Sequence, residues 1–210
     1  MLLVVVLLAV IDLAPVVRAL ATPPRGRRPS PGKQLVQKLK QARHAQEVSC
    51  LLSEHGEHLN CFAVATAMST LRRLGHARAA LALFEETRAR SGFVENVVTY
   101  NAAIAASGTL RDSARAAQLF AELQQNNFEP TIITYSSMIS VCEKIGNWKK
   151  AFELLSEMQQ RGLEPNLVTY NAMISACEKG GQWGKAFDLL GKMQRRGLEP
   201  DTITYNAMIS

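Results

Sequence analysis

Aromatic residues make up only 6% of the 210-residue chain, and its four cysteines, Cys50, Cys61, Cys142 and Cys177, stand at no metal-binding spacing. A metal site needs three or four converging ligands. The one H-x-x-H cluster, His55 to His58, has no partner pair and reads as surface loop histidines. No glycine-rich phosphate loop, serine elbow or carboxylate pair occurs at a spacing that supports catalysis. These absences argue against an enzyme, a cofactor or a small-molecule substrate. Long apolar runs are missing too. The uncharged stretch before Asp12 is 11 residues, where a spanning helix needs about 20, so stable membrane insertion is not expected.

Acid is absent from residues 22–46, which hold seven bases and four prolines. Residues 1–46 carry a net charge of +7 and the other 164 residues a net of −1, so the overall +6 belongs to the leader. Residues 1–21 read as a signal-like hydrophobic leader, with Ala19-Leu20-Ala21 as a small-residue cleavage site but no charged start. Residues 22–46 read as a basic, transit-like linker. Signal followed by transit-like stretch resembles the bipartite leader of proteins sent to plastids bounded by extra membranes. The expected location is therefore an organelle, plastid ahead of mitochondrion. A simple secretory signal or a wrongly placed start is the plainer alternative. Within 34–59, Leu35, Val36, Leu39 and Ala42, then Val48, Leu51 and Leu52, predict one or two helices that cap the N-terminal face of the fold.

What the chain does have is a period. Residues 166–200, NLVTYNAMISACEKGGQWGKAFDLLGKMQRRGLEP, lie over 131–165 with 22 of 35 positions identical. Residues 96–130 share the TYNAAI opening and the FEP ending, 60–95 form a degenerate copy one residue longer, and 201–210 open another copy. A chain that stops there reads as a piece of a longer protein. In each unit the apolar residues recur at three- and four-residue steps, break at a glycine turn, and resume, as in Tyr170, Met173, Ile174 and Cys177, then Trp183, Ala186, Phe187, Leu190 and Met193. That spacing predicts two amphipathic helices per unit. Gly180 and Gly181 suit the turn, Gly197 a left-handed helix end, and Pro200 the stop. One hairpin cannot bury both its stripes, so neighbours must stack into an all-α solenoid of helix–turn–helix repeats. Cys142 and Cys177 fall at equivalent positions. Stacked helices lie about 8–10 Å apart, beyond the roughly 7 Å a disulfide tolerates between Cα atoms, so both read as core residues.

Tetratricopeptide repeats are about 34 residues long with a W-x2-L-G-x2-Y pattern, which this sequence lacks. The 35-residue spacing, the V-T-Y-N-A-x-I-S opening and the G-L-x-P-[DN] ending instead resemble pentatricopeptide repeats of the pure 35-residue class. The resemblance is close over 96–210 and loose over 60–95. It implies a right-handed superhelix whose partner is single-stranded RNA, with other organellar RNA-processing proteins as further partners.

Two columns vary within the uniform frame. One polar residue follows each tyrosine, Asn101, Ser136, Asn171 and Asn206, and one follows each proline at the unit boundary, Thr131, Asn166 and Asp201. Such short donors and acceptors suit base edges. They are also favoured helix caps, a strong alternative for the boundary residues. The resemblance implies that the two columns together choose the base: a weak pyrimidine preference for Asn101 with Thr131, adenine for Ser136 with Asn166, uracil for Asn171 with Asp201. Asn206 has no partner within the chain. It further implies that Val98, Ile133, Val168 and Ile203, three positions earlier, sandwich the bases, read 5′ to 3′ along the chain. Ala65 in the degenerate copy departs from the pattern, so that copy is expected to pack but to read nothing. Two hydrogen bonds per unit at about 0.5–1.5 kcal/mol each, with 11 bases balanced by 11 acids over 96–210, predict weak binding by this chain alone. A protein-binding solenoid, or the RNA-binding part of an enzyme whose catalytic domain lies elsewhere, are the competing readings.

Overall fold

The computed structural model describes residues 31–55, 60–89 and 95–209. The hydrophobic leader, most of the proline-rich stretch and His58 lie outside them. Among the described residues there are eleven helices and no strand. The chain divides into two compact units, Met1–Ala106 and Ser107–Ser210.

In the first unit α1 (Pro31–Gln41) and α2 (Ala45–Glu54) pack on α3 (Cys61–Arg73), and α3 packs on α4 (Ala77–Arg88). The basic stretch assigned to a linker is thus helical from Pro31. Proline costs nothing at the first helical position, where no intrahelical N–H bond is made, and Leu35, Leu39 and Ala42 supply a buried stripe. The open carbonyls at the end of α1 are covered from α3: the Thr70 hydroxyl donates to Leu39 O at 3.1 Å, and Arg73 Nη2 donates to Ala42 O at 2.9 Å. Phe84 meets Tyr100, from α5 (Val97–Thr109), edge-on at 5.4 Å.

The second unit holds α6 (Ser113–Gln125), α7 (Ile132–Ile145), α8 (Trp148–Gln160), α9 (Leu167–Lys179), α10 (Trp183–Arg195) and α11 (Thr202–Ile209). Each of these helices packs on the next, and α7, α9 and α11 also pack on one another in sequence. That is the nearest-neighbour pattern of a stacked repeat. The fold is an α-solenoid of helical hairpins. Tyr135 is fully buried against Phe120, and its hydroxyl donates to Glu157 Oε1 at 2.7 Å. Burial, and then that carboxylate, hold its proton well above the usual phenol range. Cys142 and Cys177 are buried free thiols pushed up to about 11, chiefly by burial.

The two glycines assigned to one turn have separate reasons. Gly181 has φ +65, the left-handed geometry that favours glycine. Gly180 has an ordinary φ of −91, but a Cβ there would lie 2.2 Å from Trp148 Cδ1. Close approach of α9 to the tryptophan at the head of α8 dictates it.

Among the described residues no helix is long and apolar enough to cross a membrane, and no group of three or more His, Cys, Asp or Glu is placed to hold a metal.

Candidate nucleic-acid interface

The residue after each proline caps the first helix of the next hairpin. Thr131 and Thr134 form a reciprocal box, with Thr134 N donating to Thr131 Oγ1 at 3.4 Å and Thr131 N to Thr134 Oγ1 at 3.0 Å. Asn166 Oδ1 accepts from Thr169 N at 3.0 Å, and Asp201 Oδ1 accepts from Thr204 N at 2.9 Å. Capping therefore accounts for the residue type at all three boundary positions. It uses one oxygen of each, and it leaves Asn166 Nδ2 and Asp201 Oδ2 open.

The residues after the tyrosines lie one turn inside their helices and show only an edge: Asn101, Ser136 and Asn171 are 7%, 6% and 8% exposed. Each of the latter two is tied to the threonine of the following hairpin. The Thr169 hydroxyl donates to Asn166 Oδ1 at 2.9 Å, which spends its single proton, so the 2.7 Å bond between Ser136 and Thr169 is donated by Ser136. In the next pair the Thr204 hydroxyl donates to Asn171 Oδ1 at 2.6 Å, and Asn171 Nδ2 donates to Asp201 Oδ1 at 3.0 Å. Hydrogen bonds from the Thr204 backbone N–H and then from Asn171 Nδ2 hold the Asp201 carboxyl below its usual range. Ser136, Asn171 and Asn206 occupy the same turn of α7, α9 and α11, with Asn206 exposed in the last. Asn101 sits in the first unit, and its buried Oδ1 has no hydrogen-bond partner among the described residues. Such a group costs about 1–3 kcal/mol until something donates to it.

Three positions earlier the side chains turn outward. Val98, Ile133, Val168 and Ile203 are 39%, 64%, 59% and 62% exposed. In the second unit the last three recur on successive packed helices, about 8–10 Å apart. A flat ring in contact with an aliphatic group on each face needs about 7–8 Å. The spacing therefore admits one base between neighbours.

Charge adds little in this unit. Lys179 pairs with Glu143, Arg196 with Glu164, Lys150 with Glu153 at 2.8 Å and Arg161 with Glu157 at 3.2 Å. Sequence reasoning passed over Phe62, which is 60% exposed in α3. Setting Asn60, whose Oδ1 caps α3 through Ala63 N at 2.9 Å, in register with Thr131 and Asn166 places Phe62 in the column of Ile133 and Val168. That alignment was the available signal.

The family model described as the PPR repeat family matches residues 137–179 and 165–210, and the one described as the pentatricopeptide repeat domain matches 82–145. Together they take in more than half of the chain. The chain belongs to the pentatricopeptide repeat family. This pentatricopeptide repeat chain is 28% identical to the pentatricopeptide repeat protein PPR10 from maize, over 84% of its own length and 26% of that chain, with a TM-score of 0.58. Against PPR10 in complex with an 18-nt psaJ RNA element the values are 27%, 94%, 31% and 0.63. It thus spans about a quarter to a third of the PPR10 chains. The PPR domain of Arabidopsis thaliana protein-only RNase P 1, in complex with tRNA, shares the fold at 13% identity and TM-score 0.64, over 83% of this chain and 93% of that one. No curated protein sequence matches the chain.

Proposed function

We propose that this pentatricopeptide repeat chain binds single-stranded RNA with one base per repeat, and that it serves RNA processing, stability or translation in an organelle. The observation that carries the reading is an inversion between the two complete hairpins of the second unit. In the first, Ser136 has given its proton inward and offers an acceptor, while Asn166 Nδ2 offers a donor. In the second, Asn171 Nδ2 keeps one N–H to donate, while Asp201 Oδ2 accepts. Adenine and cytosine present an amino donor beside a ring acceptor, whereas uracil and guanine present a carbonyl acceptor beside a ring N–H. The inverted pairs suit these opposite edges, and the family resemblance narrows them to adenine at Ser136–Asn166 and uracil at Asn171–Asp201. PPR10 and the RNase P domain, each bound to RNA, support the partner. The acid-free, basic residues 22–30, ahead of α1, support the organellar location.

The test exchanges the pattern. Asn171→Ser with Asp201→Asn recreates in the second pair the arrangement already present in the first. Fluorescence anisotropy against short RNAs should show the preferred base at that position change from uracil to adenine, with discrimination of about 1–3 kcal/mol. A folded double variant that keeps the uracil preference would refute reading by this pair, and no selective RNA binding by the unsubstituted chain would favour a protein-binding solenoid.

A further inference from the structure

The second helices of the two complete hairpins, α8 and α10, agree at every buried position and differ at five others, none of them buried. The exchanges turn one surface basic. Lys192 stands where α8 has Glu157, and Arg195 where it has Gln160. In α8 that glutamate pairs with Arg161 at 3.2 Å, and Lys150 pairs with Glu153 at 2.8 Å. Lys149, Lys185, Lys192 and Arg195 are exposed and pair with no carboxylate among the described residues. Lys185 and Lys192 lie on one face of α10, two turns or about 10 Å apart, and Asp188 is the single acid of that helix. Lys185 reaches across to α8. Its Nζ lies 5.3 Å from the centre of the Trp148 ring and 5.7 Å from that of Phe152, while Lys149 Nζ lies 5.7 Å from Trp148. The two rings thus gather two ammonium groups at the seam between α8 and α10. One hairpin earlier, Ser113 and Ala117 replace Trp148 and Phe152, so the seam between α6 and α8 has neither ring. None of these residues lies on α7, α9 or α11, which carry the reading column.

We propose that the seam between α8 and α10 docks an acidic segment of a protein partner, on helices that the base-reading columns do not use. Four unpaired bases against one acid complement a run of carboxylates. Ammonium groups already held over aromatic rings lose little further freedom when a carboxylate arrives. A nucleic-acid strand fits the seam less well, because bases stack on open ring faces and here lysines stand over the rings. The proposal does not depend on the RNA reading.

The full chain is titrated by anisotropy with a labelled peptide of ten glutamates and, separately, with a decauridine RNA. Lys192→Glu with Arg195→Gln gives α10 the residues that α8 already carries at those positions. It should weaken peptide binding about tenfold and leave the base preference on RNA carrying pyrimidine–A–U unchanged. The same charge change on α1, Lys38→Glu with Lys40→Gln, should alter peptide affinity less than about twofold, since screening confines exposed charges to their neighbourhood. Saturating RNA should not displace the peptide. Undiminished peptide binding by the α10 variant, or an equal loss in the α1 variant, would overturn the proposal. So would an unsubstituted chain that ignores the peptide but binds decauridine, with that binding lost in the α10 variant; the seam would then be a nucleic-acid surface. If the peptide results hold while the unsubstituted chain shows no base preference, the RNA reading fails and this one stands.

Discussion

The module at 60–95 and the regular repeats share a cap and an outward apolar residue, yet α3 lacks two inner polar residues that the others carry. Where the regular first helices carry Thr99, Thr134, Thr169 and Thr204, α3 carries Ala63; where they carry Asn101, Ser136, Asn171 and Asn206, it carries Ala65. The difference shows what the threonine is for. In the second unit Thr169 and Thr204 complete their own caps and at the same time bind the reading residue one repeat back. In the first unit Thr99 donates instead to Asn96 O, at 2.8 Å. The helices packed ahead of α3 carry no reading column, and a threonine at 63 would have nothing of that kind to hold. Asn60 caps α3 without it. The module is degenerate in its polar network, has Val64 in place of the tyrosine and is one residue longer. Its packing is whole: Met68 is fully buried, as is Ile139 at the matching position.

The strongest way to break that contrast is through the core. Met68→Ala and Ile139→Ala should each cost about 2–5 kcal/mol. Repeat arrays need not unfold in one step, so the losses are best read separately, by hydrogen exchange in α3 and in α7. A cost at Met68 much smaller than at Ile139 would mean that 60–95 is not a packing repeat at all.

The regular repeats are not interchangeable either. Trp148 faces Gly180, while the same two positions one repeat earlier hold Ser113 and Ile145, so large and small are exchanged. Gly180→Ala should destabilise by about 1–3 kcal/mol through overpacking. Adding Trp148→Ser should recover part of the loss. Additive effects in thermal melts would refute the steric account.

The smallest expected effect isolates the network itself. Thr169→Val keeps the shape but removes the hydroxyl that Ser136 and Asn166 share. It should cost about 1 kcal/mol of stability and relax the base preference at that position, as read by anisotropy. Ala63→Thr, at a fully buried position, should cost about 1–3 kcal/mol through overpacking but leave every base preference unchanged. Equal effects of the two on base preference would erase the distinction between the modules.

The sequence alone determined the period, the two helices per unit, the buried stripes and the columns of outward aliphatic and polar residues. Those come from local spacing, because a helix repeats every 3.6 residues and a repeated unit repeats its burial. It could not say whether Thr131, Asn166 and Asp201 cap or read, since the same short oxygens do both; only the position of the next helix shows which atoms capping consumes. Nor could it place the start of the first helix expected within 34–59, which begins at Pro31 inside the stretch read as linker, where α3 supplies the surface that buries Leu35 and Leu39. The hydrogen-bond direction at Ser136, the reason for Gly180 and the basic seam at Trp148 depend on residues more than thirty positions apart in sequence or on different helices. Packing alone brings those together.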